Sequence, residues 1–206
     1  MLAVCGGHWV AKIIEKGVDA GGLGRYSYQG LQGRKPVKVM PILFYRVCQQ
    51  QLETAGEKTV WKQQHRILDK LYPQEDIDPR RQEVLDLQNF IAKKQAEGYD
   101  IILLTDGNEN LSKPGSWCPM PIQDKPHVFC KEHDGSLLTL VKSCGLVDLI
   151  SLFHPSDQYP ATYSRGRHRI DGIFVSPRIA QCVIRTGMSP FYTSFVGDHK
   201  LVFVDL

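Results

Sequence analysis

Three apolar runs in the chain each meet an acidic residue at one end, and this pattern constrains the fold and the function more than any other. The runs lie in residues 101–110, 169–174 and 197–206. Apolar and β-branched residues that alternate along a run predict β-strands, so the acids are expected at strand ends or in the adjoining loops. Loops at the ends of buried strands commonly carry the chemistry of a protein. The sequence therefore predicts one site built from three distant segments.

Each of these strand ends carries residue types that act on phosphates or bind metals. Asp106 and Asn108 place a carboxylate two positions before an amide donor, and Asp198 stands next to His199, an imidazole that titrates near neutral pH. Asp171 is able to accept the second ring N–H of that histidine, as in other carboxylate–imidazole pairs. Taken singly, each group is explained as well by a turn whose Asp or Asn caps the backbone. The ordered set of three favours a catalytic site.

Length and composition indicate one globular domain but do not identify what it binds. With 206 residues, of which 42% are apolar and 23% charged, the chain is long enough for a sizeable core, and we expect a single domain over residues 1–206. Glycine-rich turns make residues 1–33 hard to interpret. The net charge of +3 is too small to indicate nucleic-acid binding by itself.

A local basic cluster precedes Asp171 and consists of Arg165, Arg167, His168 and Arg169. A solvated surface loop is one explanation of such a cluster. Beside an acidic strand end, a phosphate contact is the other, because arginine side chains make many of the phosphate contacts of nucleic-acid-binding proteins.

The sequence predicts an intracellular protein, nuclear or cytoplasmic, that is neither secreted nor embedded in a membrane. No apolar run approaches the length that spans a bilayer, and the first residues lack the pattern of a signal peptide. The six cysteines include no C-x-x-C pair, which fits a reducing compartment. Cys48, Cys144 and Cys182 lie in or beside apolar runs and are expected to be buried thiols.

Helical and strand periodicities alternate along the middle of the chain. They predict strands at 37–45 and 101–104, helices at 59–70, 80–97 and 137–144, a short strand or turn at 147–152 and a strand at 160–163. Pro41 argues against a fully paired, central position for the first of these strands. This order of elements predicts a layered α/β or α+β sandwich.

Four segments together resemble the endonuclease/exonuclease/phosphatase superfamily, in the form of the exonuclease III-type enzymes and retroelement endonucleases. They are FYRVC (44–48), LLTDGNEN (103–110), PATYSRGRHRIDGIF (160–174) and VGDHKL (196–201). The Gly-Asp-x-Asn of the family stands here as Thr105-Asp106-Gly107-Asn108, and its Ser-Asp-His as Gly197-Asp198-His199. The resemblance covers residues 22–206 and implies the deoxyribonuclease I-like fold, an α+β protein arranged as a four-layer α/β/β/α sandwich.

The resemblance implies hydrolysis of phosphodiester bonds in nucleic acid, above all DNA, with a divalent metal. Magnesium is the expected ion, with manganese as an alternative, since magnesium prefers oxygen ligands. A reverse transcriptase or another retroelement domain is a further expected partner.

The family pattern also assigns roles to individual residues of this chain. It assigns Asp106 to the attacking water, Asn108 to a phosphate oxygen, His199 to the scissile phosphate, Asp171 to holding His199, Tyr45 to the phosphate and Asp198 to the metal. Four arginines in or beside the matching segments are candidate phosphate contacts, namely Arg46, Arg165, Arg167 and Arg169.

The N-terminal side departs from the family pattern. The family places an early asparagine and a metal-binding glutamate on strands of the first half of its fold. Here only residues 1–36 precede the first strong strand, and Glu15 is their only glutamate. We therefore expect a sandwich that is incomplete on its N-terminal side, with exposed sheet edges and reduced metal affinity and turnover.

Two other functions remain open at this point, so the sequence does not decide whether the chain is an enzyme. A phosphatase that acts on a small phosphate ester, such as an inositol phosphate, is compatible with the same site residues. The second alternative is an inactive remnant or a noncatalytic binding module. One version of the binding module holds zinc through Cys118, His127, Cys130 and His133, although their spacing fits no standard zinc finger.

Overall fold

Two β-sheets and five α-helices form the fold in the computed structural model, which describes residues 6–50, 52–112, 136–156, 159–192 and 197–206. The strands are β1 (Ile13–Val18), β2 (Tyr26–Gln32), β3 (Lys38–Tyr45), β4 (Tyr99–Asp106), β5 (Val147–Asp148), β6 (Asp171–Val175), β7 (Arg185–Met188) and β8 (Val202–Asp205). The α-helices are α1 (Val60–Leu71), α2 (Pro79–Ala96), α3 (Ser136–Ser143), α4 (Leu149–Phe153) and α5 (Pro177–Ala180). A short 3-10 helix, Gly7–Lys12, precedes β1.

The larger sheet is mixed, and its one parallel pair among the described strands sets the position of the site. Six strands lie in the order β1-β2-β3-β4-β6-β5, while β7 pairs with β8 in the second sheet. β3 and β4 run parallel, so the chain crosses between them through α1 and α2, as parallel neighbours require. The carboxyl ends of β3 and β4 therefore lie at the same edge of the sheet.

The boundaries of α2 follow from local sequence. Asp78 accepts a hydrogen bond from the backbone N–H of Arg80 at 2.8 Å, and Pro79 occupies the first helical position, where no N–H is needed. The helix ends before Gly98, whose φ of +85° is a conformation that glycine adopts readily. Polar capping at one end and glycine at the other thus fix where α2 lies on the sheet.

One face of the large sheet packs against α2 and α3 and forms the main core. Its buried side chains include Met40, Ile42, Phe44, Leu103 and Phe174 from the strands, Leu87 and Ile91 from α2, and Leu137 and Leu140 from α3. Burying one such side chain contributes about 1.5–3 kcal/mol, so this core fixes the register of the strands. The residues at the strand ends are positioned as a consequence.

The opposite face of the large sheet carries the small sheet and the two short helices. Its cluster consists of Ile102, Ile173 and Val175 from the large sheet, Leu149 from α4 and Ile179 from α5, with Val202 and Val204 of β8 packed against it. An outer layer of helices over the small sheet is not seen in the described ranges, so the four-layer arrangement stays a prediction. Ile14 and Val18 of the edge strand β1 are 51% and 67% exposed, and the expected incompleteness on the N-terminal side stays a prediction.

The strands predicted at 37–45 and 101–104 and the helices predicted at 59–70, 80–97 and 137–144 are confirmed. The expectation from Pro41 is met in part, because β3 is a central strand but is not fully paired. Pro41 lies in β3, which has strands on both sides. The ladder from β3 to β2 skips Gln29 and Gly30, which stand opposite this part of β3. Because proline has no N–H to donate, a gap in the ladder at this point accommodates it.

Other parts of the secondary structure differ from the prediction. Residues 147–152 form a two-residue strand followed by α4, and residues 160–163 form no strand beyond an isolated bridge at Tyr163. Cys144 is buried as expected, whereas Cys48 and Cys182 are exposed. In the described part of the chain, no helix combines the length and the apolar character that crossing a membrane requires.

Candidate active site

Three neighbouring strands bring Tyr45, Asp106 and Asp171 side by side at one end of the large sheet. Tyr45 pairs in register with Asp106 across the parallel β3–β4 ladder, and Asp106 pairs with Asp171 across the antiparallel β4–β6 ladder. Directly paired residues of adjacent strands project to the same face of a sheet. All three residues are partly exposed, so a substrate is able to reach them.

The last described segment adds His199 to this group. Tyr163 and His199 form an isolated antiparallel bridge, and the backbone N–H of Lys200 donates to the carbonyl of Thr162 at 2.8 Å. His199 Nδ1 lies 3.0 Å from Asp171 Oδ2, and the ring centroids of His199 and Tyr163 are 5.0 Å apart. The structure thus places the two residues of the predicted carboxylate–imidazole pair in hydrogen-bond contact.

Thr162 belongs to this site although the sequence assigned it no role. It is fully buried, and its hydroxyl oxygen accepts the backbone N–H groups of Ile170 at 2.9 Å and Asp171 at 3.1 Å. The same hydroxyl also hydrogen-bonds the carboxylate of Asp171. Thr162 therefore fixes the chain where it enters β6. A lone threonine in a loop gives no sequence signal that would have revealed this function.

Burial and crowding shift the protonation equilibria of the group. Burial, followed by the charge of Asp171, raises the pKa of Asp106 to about 6. Burial also raises the pKa of Asp171, although its hydrogen bonds with Thr162 and His199 act in the opposite direction. For His199, burial alone would lower the pKa, but the hydrogen bond to Asp171 and the surrounding carboxylates outweigh it and raise the pKa. The site therefore concentrates negative charge in a place that favours a proton or a cation.

Asp106, Asp171 and His199 form a donor set that fits a divalent cation. One ligand atom from each lies within 4.8 Å of the others. A cation would relieve the repulsion between the two crowded carboxylates, and oxygen donors suit magnesium or manganese. Asp198, the predicted metal ligand, is not in this set. Its carboxylate is half exposed and lies 3.7 Å from Arg165 Nη2.

Asn108 stands in the left-handed region with φ of +44°, and several hydrogen bonds hold it there. Its Nδ2 donates to the carbonyl of Arg46 at 2.6 Å, and its backbone N–H donates to Asp106 Oδ1 at 3.3 Å. The Cys48 thiol donates to Asn108 Oδ1 at 3.4 Å. The amide that is predicted to hold a phosphate oxygen is thus anchored beside Asp106, with one of its two N–H hydrogens already used.

Gly107 allows the loop after β4 to lie against α3. A Cβ at this position would lie 2.7 Å from Leu137 Cδ2, closer than real side chains approach. The backbone N–H of Gly107 donates to the carbonyl of Ile170 at 2.8 Å, which ties the loop to the residue before β6. A side chain at 107 would therefore require Leu137 to move, next to the contact that Asp106 and Asp171 flank.

Two of the four arginines that were expected to contact phosphate lie inside the protein, so the expectation for them is wrong. The guanidinium of Arg46 is fully buried and paired with Glu109, and that of Arg169 is fully buried and paired with Asp148. Breaking a buried pair of this kind costs about 3–5 kcal/mol, because a charge is left without its partner. Both arginines stabilise strand-end loops instead.

Arg165 and Arg167 are exposed, as a phosphate contact requires. The side chain of Arg165 is 78% exposed, and its guanidinium carbon lies 5.9 Å from the ring centroid of Tyr163. Arg167 is also exposed. A cleft of about 160 Å³ between β4, β6 and residues 200–202 has Asp171 in its wall. The four residues of the zinc alternative (Cys118, His127, Cys130 and His133) lie outside the described residues.

Comparison with solved structures identifies the fold. The 3′ phosphatase NExo from Neisseria, bound to product DNA hairpin, matches with a TM-score of 0.57 and 18% identity over 88% of this chain and 64% of its own. An AP endonuclease from Archaeoglobus fulgidus matches with a TM-score of 0.53 and 15% identity over 89% of this chain and 66% of its own. The APE2 catalytic domain from Xenopus laevis matches with a TM-score of 0.53 and 17% identity over 88% of this chain and 55% of its own. The chain has the deoxyribonuclease I-like fold.

This fold is the one that the sequence motifs predict, that of the endonuclease/exonuclease/phosphatase superfamily. No family model and no curated protein sequence matches the chain. The chain spans 64%, 66% and 55% of the lengths of the three deoxyribonuclease I-like structures. A shared fold does not carry an activity with it, so the function has to be argued from the site.

Proposed function

We propose that this deoxyribonuclease I-like chain hydrolyses phosphodiester bonds of nucleic acid with the help of a divalent cation. The observation that supports this most is the contact of His199 Nδ1 with Asp171 at 3.0 Å, beside Asp106 on the neighbouring strand. Attack of water on a phosphate ester needs a proton acceptor and donors that stabilise charge on the phosphate oxygens. The carboxylate of Asp106 next to the pair of Asp171 and His199 supplies both.

Asp106 and His199 carry the proton chemistry in this proposal. The carboxylate of Asp106 is ionised above its pKa of about 6, so it is able to accept a proton from water near neutral pH. His199 donates a hydrogen bond to a phosphate oxygen through Nε2 while Asp171 holds Nδ1. Burial raises the pKa of Tyr45 to about 12, so Tyr45 stays protonated and acts as a further donor. Asn108 supplies the amide donor beside them.

The cation supplies charge stabilisation that the side chains alone do not provide. A bound magnesium or manganese ion would stabilise the negative charge that develops on the phosphate oxygens. The residues that would hold it are Asp106 and Asp171, with Asp198 as a further candidate ligand. Burial and then the charge of Asp171 raise the pKa of Asp106, and such an ion would offset the second of these two effects.

The surface next to the site favours nucleic acid over a small phosphate ester. Arg165 and Arg167 are exposed, and Arg165 lies against the ring of Tyr163, which forms a bridge with His199. Two such cations suit a substrate with several phosphates, because backbone phosphates dominate the affinity of nucleic-acid-binding proteins. DNA is the main candidate, and DNA with a 3′-phosphate is a second substrate to test, since NExo is a 3′ phosphatase bound to DNA. A retroelement partner stays a prediction.

The substitution His199→Ala tests the proposal on plasmid DNA in the presence of magnesium. The wild-type chain is expected to nick the plasmid, and the variant is expected to lose on the order of 100-fold or more of this rate, since it lacks the donor to phosphate. His65→Ala is the matched control. His65 also lies beside a carboxylate, 3.3 Å from Asp76, but it stands on α1. The control is expected to keep the wild-type rate.

The substrate that is hydrolysed decides between the proposal and its alternatives. Turnover of an inositol phosphate or another small ester without cleavage of DNA would assign the chain to the phosphatases. A folded wild-type chain that hydrolyses none of these substrates would support the inactive remnant or binding module. Equal rates for His199→Ala and His65→Ala would remove His199 from the reaction.

A further inference from the structure

One buried side chain joins two loops of the site that follow neighbouring strands. The loops are residues 46–48 after β3 and residues 107–110 after β4. Arg80, at the start of α2, is 3% exposed. Its guanidinium donates to the carbonyl of Val47 through Nη1 and to the carbonyl of Asn108 through Nη2, the latter at 3.2 Å. Arg80 thus spans the two loops from the helical side of the sheet.

Further hydrogen bonds join the same two loops. The backbone N–H of Arg46 donates to the carbonyl of Asp106 at 2.9 Å, and Asn108 Nδ2 donates to the carbonyl of Arg46 at 2.6 Å. Arg46 Nη2 lies 3.4 Å from the carbonyl of Arg80 and closes the network. Asn108 has a left-handed φ of +44°, which asparagine tolerates better than most residues that carry a side chain. The hydrogen bonds of this network fix where its side chain and its carbonyl lie.

We infer that Arg80 is a positioning residue, which sets the place of Asn108 relative to Tyr45 and Asp106 without touching the substrate. Its planar guanidinium offers two donors at a fixed separation, one for each loop, whereas a lysine offers one compact charge on a flexible stem. If one of the two carbonyls loses its donor, the loops are free to shift against each other. The kinetic part of this inference rests on the proposed function, while the contact between the loops does not.

The substitution Arg80→Lys tests the inference, with Arg25→Lys as its matched control. Arg25 is 2% exposed and also contacts α2, but its guanidinium pairs with Asp19 and Asp86. Both variants are expected to unfold at a lower denaturant concentration than the wild type. Only Arg80→Lys is expected to lower kcat as well, by on the order of 10- to 100-fold with little change in KM, because misplacement of a reacting group by about 1 Å has an effect of this size.

Amide hydrogen exchange provides a second readout that needs no activity. Backbone amides of residues 46–48 and 107–110 are expected to exchange faster in Arg80→Lys than in the wild type or in Arg25→Lys. Equal exchange of these loops in the two variants would overturn the inference, as would an equal loss of kcat. If the wild type hydrolyses no substrate, the proposed function fails, and the exchange of the two loops still decides whether Arg80 joins them.

Discussion

At the scale of single residues, the contact between Asp171 and His199 sets the charge of the site. The imidazole is 32% exposed, and burial by itself favours its neutral form. The hydrogen bond to Asp171 and the charges of Asp171, Asp106 and Asp198 favour the protonated form and outweigh burial, so the pKa of His199 is raised. A protonated imidazole is a stronger donor to a phosphate oxygen than a neutral one. The carboxylates thus prepare His199 for an anionic ligand.

The substitution Asp171→Asn is expected to lower the pKa of His199, because the amide keeps the shape of the side chain but removes its negative charge. Titration of the ring protons by NMR in metal-free protein measures this change, and His199→Ala identifies the resonance. Asp76→Asn, which removes the acid beside His65, is expected to leave the titration of His199 unchanged. An unaltered titration in Asp171→Asn would mean that the other carboxylates control the charge of His199.

At the scale of elements, α2 brings an acid into the interior as well as Arg80. Glu83 is 1% exposed, and its Oε2 accepts the backbone N–H of Val47 at 3.4 Å. Its other oxygen, Oε1, has no hydrogen-bond partner within the described ranges. Burial raises the pKa of Glu83 to about 7, although Arg46, Arg25 and Arg80 act in the opposite direction. Ionisation of Glu83 is therefore less favourable in the folded protein than in the unfolded chain.

Glu83 makes the free energy of unfolding depend on pH, with a sign that follows from its raised pKa. In the unfolded chain Glu83 releases its proton near its ordinary pKa of 4.5, but in the folded protein it keeps the proton up to about 7. The stabilisation that protonated Glu83 gives the folded protein is complete below the ordinary pKa of 4.5. It is lost as the pH rises through the folded pKa of about 7. Between about pH 5 and about pH 8, the wild type is expected to lose on the order of 3 kcal/mol more than Glu83→Gln. Urea unfolding at both values measures this, and parallel losses in the two proteins would contradict it.

At the scale of the whole molecule, local signals in the sequence predict the strands and their polar ends, but not the burial of charged side chains. The apolar, alternating residues of β3 and β4 indicate strands independently of the rest of the chain. Arg46 and Arg169, in contrast, meet acids 63 and 21 residues away, and no local pattern separates such a pair from a surface cation. Arg165 and Arg167 are exposed although Arg169 of the same cluster is buried. The pairing of Arg169 with Asp148 of β5 decides this division, and the local sequence does not reveal a partner 21 residues away.

The site also links parts of the fold that are distant in sequence. Asp106 ends β4, Asp171 begins β6, and Asp198, the further candidate ligand, lies in the segment that leads into β8. An ion held between these residues would connect the large sheet with the entry to the small sheet. Because these ligands come together only in the folded protein, binding of the ion and folding are thermodynamically coupled.

Magnesium or manganese is therefore expected to raise the midpoint of thermal unfolding, and a chelator is expected to reverse the rise. An ion at about 100 times its dissociation constant adds about 2.7 kcal/mol to the free energy of unfolding. Asp106→Asn is expected to remove most of this ion-dependent shift, whereas Asp69→Asn, at an exposed acid on α1, is expected to keep it. Circular dichroism across a magnesium series measures both. Equal shifts in the two variants would place the ion elsewhere on the protein, and the crowded pair of Asp106 and Asp171 would then hold a proton rather than a metal.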